Sequence, residues 1–262
     1  MLFAFMLTLF AGLATVIGGW LATRRKVISP AVLATTLAFA AGAMVFIAFA
    51  EMLPHGLGEH SDHAAENIQW WVYGAFFAGM LTVAIIDKLL PDHLNPTPHE
   101  KGKRRTSKEN TQKALVRSGL LIAVVLTLHN FPEGLSTFLA AYEEPKVGIA
   151  LALAIAMHNI PQGIAIATPI YAATKKKIKA LSWTLVSGLA QPLGALSGFL
   201  LIGSLIPSEL NGVIFGLVAG MIVFVSLHEL LPSARRLQTK PHQVVYGLML
   251  GMMVSALSLL VI

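Results

Sequence analysis

The sequence predicts an all-α membrane protein of eight transmembrane helices, and three observations carry that prediction: the apolar bulk, the length of the apolar runs and the placement of the charges. Hydrophobic residues fill 55% of the 262 positions and charged residues only 12%, about half the charged share of an ordinary soluble domain. A spanning helix needs ~20 apolar residues, so eight spans take roughly 160 positions and leave only short connections. A single polytopic domain over residues 1–262 is therefore expected. The net charge of +6 would raise nucleic-acid binding in a soluble chain; here it must be read loop by loop, and no nucleic-acid partner is expected. The chain has no cysteine, which excludes disulfides, iron–sulfur clusters and thiolate metal sites, so any metal must rely on His, carboxylate, amide or carbonyl ligands.

The apolar segments run at about 1–22, 31–54, 69–90, 114–142, 146–173, 179–203, 210–232 and 243–262. The first starts at Met1, and its basic cluster Arg24, Arg25 and Lys26 follows it. A signal peptide has the reverse order, so this segment is expected to stay as a helix. The connection after the third segment, about 91–113 with the adjoining helix ends, holds Lys88, Lys101, Lys103, Arg104, Arg105, Lys108, Lys113 and Arg117. Lys175, Lys176, Lys177 and Lys179 follow the fifth segment, and Arg235, Arg236 and Lys240 the seventh. With the first cluster these make 18 of the 19 Lys and Arg residues, all on alternate connections. The positive-inside rule puts those connections in the cytoplasm and both termini outside, as expected for a multi-pass protein of the cell (plasma or inner) membrane.

The remaining connections are acidic and carry histidine: His55, Glu59, His60, Asp62, His63 and Glu66 after the second segment, Glu143 and Glu144 after the fourth, Glu209 after the sixth. Two readings stand for residues 55–63, a soluble turn or a patch that loads metal from outside. Glu143 and Glu144 read as an ordinary soluble turn. In the inner loop, Asp92, His93, His99 and Glu100 read as a solvated linker.

Two repeats organise the interior. AGAMVFIAFAEMLP at 41–54 and AGMIVFVSLHELLP at 219–232 agree at 7 of 14 positions, and the loop assignment runs them in opposite directions. An inverted repeat of this kind is a common transporter architecture, with its substrate site near the midplane. The second repeat sets His129-Asn130-Phe131-Pro132-Glu133-Gly134 in the fourth segment against His158-Asn159-Ile160-Pro161-Gln162-Gly163 in the fifth. Each His shares a helix face with the residue four positions on, Glu133 or Gln162, with Asn130 or Asn159 beside it. One cation between the two faces would be ligated from both. Pro132 and Pro161 cannot donate to Leu128 and Met157, so both helices are expected to kink or unwind and expose backbone carbonyls. Gly134 and Gly163 permit close helix approach. In the sixth segment Ser187 and Gln191 share a face, Pro192 follows, and this helix reads as a third wall of the cavity. Ionisable groups at such depth cost a few kcal/mol each on insertion scales, which points to function.

The paired H-N-x-P-[E/Q]-G motifs, the E-x-L-P ends of the second and seventh segments and the long inner loop resemble the ZIP (Zrt-, Irt-like) divalent-metal transporters, most closely their bacterial zinc-uptake branch. The resemblance covers nearly the whole chain. It implies movement of metal into the cytoplasm by an elevator-like or related alternating-access cycle without ATP, and no G-x-x-x-x-G-K-[ST] motif occurs in the sequence. It also maps the primary metal site onto His129, Glu133, His158 and Gln162, and an adjoining second site onto Asn130, Glu133, Asn159, Gln162 and Gln191. The family usually has Glu where Gln162 and Gln191 stand. A divalent ion here would meet one carboxylate, and a single, weaker site with a degraded second position is expected.

Glu51 and His55 could hand metal inward from the outer side, and His228 and Glu229 could release it on the inner side, or all four could anchor helix ends at the headgroup boundary. The expected cargo is zinc first, with iron, manganese, cobalt or cadmium as further candidates, since imidazole favours borderline metals and oxygen ligands admit harder ones. No prosthetic group is expected; lipid, divalent ions and a second copy in a homodimer are the expected partners. A metal-sensing or transport-impaired relative is the alternative that the missing carboxylates raise. An intramembrane zinc hydrolase is disfavoured, because H-E-x-x-H is absent and only two His sit at the midplane.

Overall fold

Eight long helices account for nearly all the residues that the computed structural model describes, which are 1–24, 29–58, 67–89, 108–202 and 211–260. They are α1 (Leu2–Arg24), α2 (Pro30–Gly56), α3 (Ile68–Leu89), α4 (Lys108–Glu143), α5 (Pro145–Thr174), α6 (Lys177–Ile202), α7 (Asn211–Leu237) and α8 (Gln243–Leu260). By length and composition α1, α2, α3, α5, α7 and α8 can each cross a membrane. Arg25, Lys26, Glu59, His60, Asp62, His63, Glu66, Glu209 and the inner loop with Asp92, His93, His99 and Glu100 lie outside the described residues.

Local chemistry sets the helix ends. The Ser29 hydroxyl accepts from the Val32 N–H at 3.3 Å and Pro30 takes the first helical position, where a missing donor costs nothing. Pro145 opens α5 in the same way, and Lys175 closes it in the left-handed region at φ 56°. The Gln243 amide donates to the Ala31 carbonyl and, at 2.9 Å, to the Thr35 hydroxyl, joining the starts of α8 and α2 on one side of the molecule.

The helices pack as two sets. α1 and α4 each lie against α5 and α6, and α2 and α7 lie against each other with α8 beside α2 and α3 beside α7. Lipid gives no hydrophobic drive between helices, so packing depends on small residues that let backbones approach, and Ala11, Ala34, Ala38, Ala40, Ala152, Ala154, Ala167 and Ala219 are fully buried. Trp70, Trp71, Phe77 and Leu81 on α3 and Met249, Met253 and Leu257 on α8 are exposed, an apolar exterior of the kind lipid covers.

The inverted repeat runs through the whole molecule. Gly12 on α1 packs on the carbonyl of Gly188 on α6, and Gly188 packs on that of Gly12. Gly18 meets the Ile160 carbonyl as Gly194 meets that of Phe131, and Gly163 meets Thr15 as Gly134 meets Gln191. Gly42 meets Leu248 as Gly220 meets Phe76, and Gly251 meets Phe39 as Gly79 meets Leu217. Within each helix pair the separation in sequence is constant, so α1 corresponds to α6, α2 to α7, α3 to α8 and α4 to α5. The sequence reading found the second and fourth of these correspondences only.

The departures from α-helix lie in α2 and α7. α4, α5 and α6 run as continuous α-helix through Pro132, Pro161 and Pro192, so the unwinding expected there does not occur. Single π turns instead occupy Ala48–Met52 and Ser226–Leu230 at equivalent places in α2 and α7. Pro54 and Pro232 cannot donate to the carbonyls four residues back, and the preceding Leu53 and Leu231 N–H groups reach to Ala48 and Ser226, one residue further than an α-helix requires.

Candidate metal centre

His129 and Glu133 stand one turn apart on α4, and the α4–α5 packing brings His158 to the same carboxylate. Glu133 Oε1 lies 3.0 Å from His158 Nε2, with which it forms a hydrogen bond, and 3.0 Å from His129 Nε2. The His129 contact is short but off-axis, and that nitrogen makes no hydrogen bond among the described residues. None of the three side chains is more than 3% exposed. In tetrahedral zinc coordination with bonds near 2.1 Å, neighbouring ligand atoms sit about 3.4 Å apart. Both imidazoles touch one carboxylate oxygen, and drawing their nitrogens closer together around an ion would make all three side chains its ligands. The other carboxylate oxygen, Oε2, accepts from Gln191 Nε2 at 3.0 Å.

Four buried amides lie on α4, α5 and α6, each tied down by its nitrogen, and that of Gln191 is the one bonded to Glu133. Asn130 Nδ2 donates to the Ser187 carbonyl at 2.9 Å and to its hydroxyl at 3.1 Å. Asn159 Nδ2 donates to the Ala11 carbonyl at 2.7 Å, and Gln162 Nε2 lies 3.6 Å from Met44 Sδ on α2. The oxygens Asn130 Oδ1, Asn159 Oδ1, Gln162 Oε1 and Gln191 Oε1 are buried with no hydrogen-bond partner among the described residues. A buried acceptor left unmet costs about 1–3 kcal/mol, and a cation removes that cost. Of the seven expected ligands, His129, Glu133, His158 and Gln191 meet directly, whereas Asn130, Asn159 and Gln162 are bonded to Ser187, Ala11 and Met44.

The chain matches the family described as ZIP Zinc transporter over residues 1–118 and 91–259. It belongs to the ZIP zinc-transporter family. It is 45% identical over 262 residues to a zinc transporter ZupT of Corynebacterium efficiens, covering 99% of this chain and 97% of that protein. Zinc transporter ZupT proteins of Chlorobium chlorochromatii and Streptococcus mutans are each 43% identical, covering 99% and 98% of this chain and 97% and 96% of their own lengths. As a ZIP member it is a multi-pass membrane protein that transports divalent metal, and it is not an enzyme.

The other expected ZIP positions lie apart from the centre. Glu51 sits in the π turn of α2 and His55 one turn beyond it. The His55 ring meets the edge of Phe215 at 4.5 Å and its Nε2 lies 2.9 Å from Glu143 Oε2, while Asn211 donates to the other oxygen of Glu143. Glu143, read from sequence as an ordinary turn residue, is therefore held by α2 and α7 together. His228 and Glu229 sit in the π turn of α7. With Asp87 at the end of α3 they form a cluster whose ligand atoms all lie within 4.8 Å of one another, and His228 Nε2 is 3.6 Å from Asp87 Oδ2. The sequence reading missed Asp87; an acidic residue beside Lys88 at a helix end was its only signal.

Proposed function

We propose that this ZIP protein carries divalent cations, zinc foremost, into the cytoplasm through the His129–Glu133–His158 centre without ATP hydrolysis. The observation that carries the reading is the convergence of two imidazole Nε2 atoms on one carboxylate oxygen, each at 3.0 Å, inside two packed helices. Gln162 Oε1 is the fourth ligand. One carboxylate leaves a bound divalent ion with a net charge of +1, and Gln191 holds Glu133 by donating to it, so the centre takes one ion and its second position is weak. Amide oxygens admit iron, manganese, cobalt and cadmium as competing cargo. Glu51, His55 and Glu143 gather ions outside, where Lys146 is the one basic residue of the 19 in the sequence, and Asp87, His228 and Glu229 receive them inside. The same reading puts both termini outside an inner or plasma membrane, with lipid or a second copy of the chain against the exposed face of α3.

The test is zinc uptake into proteoliposomes holding the purified protein. Loss of uptake in both His129→Ala and His158→Ala supports the centre, and unchanged uptake in both overturns it. Absence of uptake in the parent protein would favour a metal sensor or transport-impaired relative, the alternative that Gln162 and Gln191 raise.

A further inference from the structure

The symmetry between α1 and α6 gives Gln191 a counterpart that the sequence does not announce. Gly12 and Gly188 cross, Gly18 matches Gly194, and the carbonyl of Thr15 meets Gly163 as that of Gln191 meets Gly134. Asn159 bonds to the Ala11 carbonyl on α1 as Asn130 bonds to the Ser187 carbonyl on α6. Thr15 therefore stands to Gln162 as Gln191 stands to Glu133. Its Cβ lies beside Gly188, as that of Gln191 lies beside Gly12, so the two side chains flank the α1–α6 crossing from opposite sides.

A second, independent observation concerns the Thr15 hydroxyl. A helical threonine normally donates to the carbonyl three or four residues back. Thr8, Thr23, Thr35, Thr36, Thr82, Thr127, Thr137, Thr168, Thr174 and Thr184 all do so. Thr15 is fully buried and its Oγ1 has no hydrogen-bond partner among the described residues. The carbonyl four residues back, that of Ala11, already accepts from Asn159 at 2.7 Å. The Asn159 amide takes the Ala11 carbonyl, and the Thr15 hydroxyl one turn on is left without a partner among the described residues.

We propose that Thr15 Oγ1, with Asn159 Oδ1 and Gln162 Oε1, forms an oxygen-only half-site on the α1 side of the passage, mirroring Asn130, Glu133 and Gln191, and that it takes oxygen-preferring divalent cations on their way through. The proposal rests on the transport reading above. Three neutral oxygens bind weakly and without imidazole, so the half-site contributes more to manganese than to zinc. Thr15 is a specificity-determining residue outside the His–Glu cluster.

The test compares Mn2+ and Zn2+ uptake by the parent protein, Thr15→Val, Thr15→Ser and His129→Ala in proteoliposomes. The expected result is a KM for Mn2+ raised about threefold or more in Thr15→Val, or ~0.65 kcal/mol, with kcat and the zinc KM little changed and with Thr15→Ser restoring the parent values. A Thr15→Val protein indistinguishable from the parent overturns the proposal, as does a Thr15→Ser protein equally impaired, because then only the methyl group matters. If His129→Ala abolishes uptake while Thr15→Val is silent, this inference alone falls. Should Thr15→Val fail to fold, Thr15→Cys supplies a second readout. The chain has no native cysteine, so Co2+ added to that variant gives a thiolate charge-transfer band if position 15 faces the ion, and its absence overturns the proposal.

Discussion

At Glu133 one carboxylate oxygen faces two imidazoles and the other faces an amide donor, so the charge of the whole centre rests on a single side chain. In the proposed site Gln162 stands where a second carboxylate would add charge, and its oxygen lacks any hydrogen-bond partner among the described residues. Gln162→Glu is expected to tighten zinc binding at least about tenfold, or ~1.4 kcal/mol, and to slow release; calorimetry showing no gain would mean that Gln162 faces away from the ion. Gln191→Glu should act in the opposite sense. It replaces the N–H donor at 3.0 Å with a second negative charge against Glu133, a pairing that disfavours ionisation of both. The variant should bind zinc less tightly unless a second ion enters, which a metal-to-protein ratio would reveal. Protons compete with the metal for imidazole ligands, so zinc uptake through this centre should fall with rising acidity. A rate that rises with acidity would remove the histidines from the ligand set.

The helices around that centre are held by backbone contact rather than by bulky side chains. A Cβ at Gly134 would fall on the Gln191 carbonyl and one at Gly163 on the Thr15 carbonyl, so Gly134→Ala and Gly163→Ala should each separate a helix pair at a cost of about 1–3 kcal/mol. Thermal unfolding in detergent should show similar losses for the two, because the contacts are symmetry-related; a large difference would break that equivalence. The same contacts explain what the sequence could and could not convey. The α4–α5 and α2–α7 correspondences were legible because they preserve His, Asn, Glu and Pro, whose chemistry restricts substitution. The α1–α6 and α3–α8 correspondences are carried by glycine against a carbonyl, and a carbonyl has no residue identity to read. Thr15 was hidden for this reason, being equivalent in place to Gln191 but unlike it in type. The π turns were hidden too: Pro54 and Pro232 mark them, but the same residue type at 132, 161 and 192 leaves continuous α-helix. Proline removes one hydrogen bond in every case, and the surrounding packing decides how the helix absorbs the loss.

Across the whole molecule the expected metal ligands divide by helix set. The centre draws its ligands from α4 and α5, with α1 and α6 packed around them, whereas Glu51 and His55 lie on α2 and Asp87, His228 and Glu229 on α3 and α7. An ion bound at the centre would move with one set if that set slides or rocks against the other, and inverted repeats give such a motion two equivalent end states. The contact of Glu143 on α4 with His55 on α2 and Asn211 on α7 bridges the two sets at the end that the charge pattern assigns to the outside, so if the sets move against each other it must break in each cycle. A His55→Cys, Glu143→Cys protein contains only those two thiols, because the chain has no cysteine of its own. Joining them with a short, reducible bifunctional thiol reagent should stop zinc uptake, and reduction should restore it. Thr35→Cys with Gln243→Cys provides the control, since these positions lie 2.9 Å apart at their side-chain tips within one set and their linkage should leave uptake intact. If the bridged His55–Glu143 pair transports as well as its reduced form, the sets do not move apart at the outer face and the ion must pass between fixed helices. If both linkages block uptake, the moving boundary is not the one drawn by packing, and α2 and α8 must shift against each other as well.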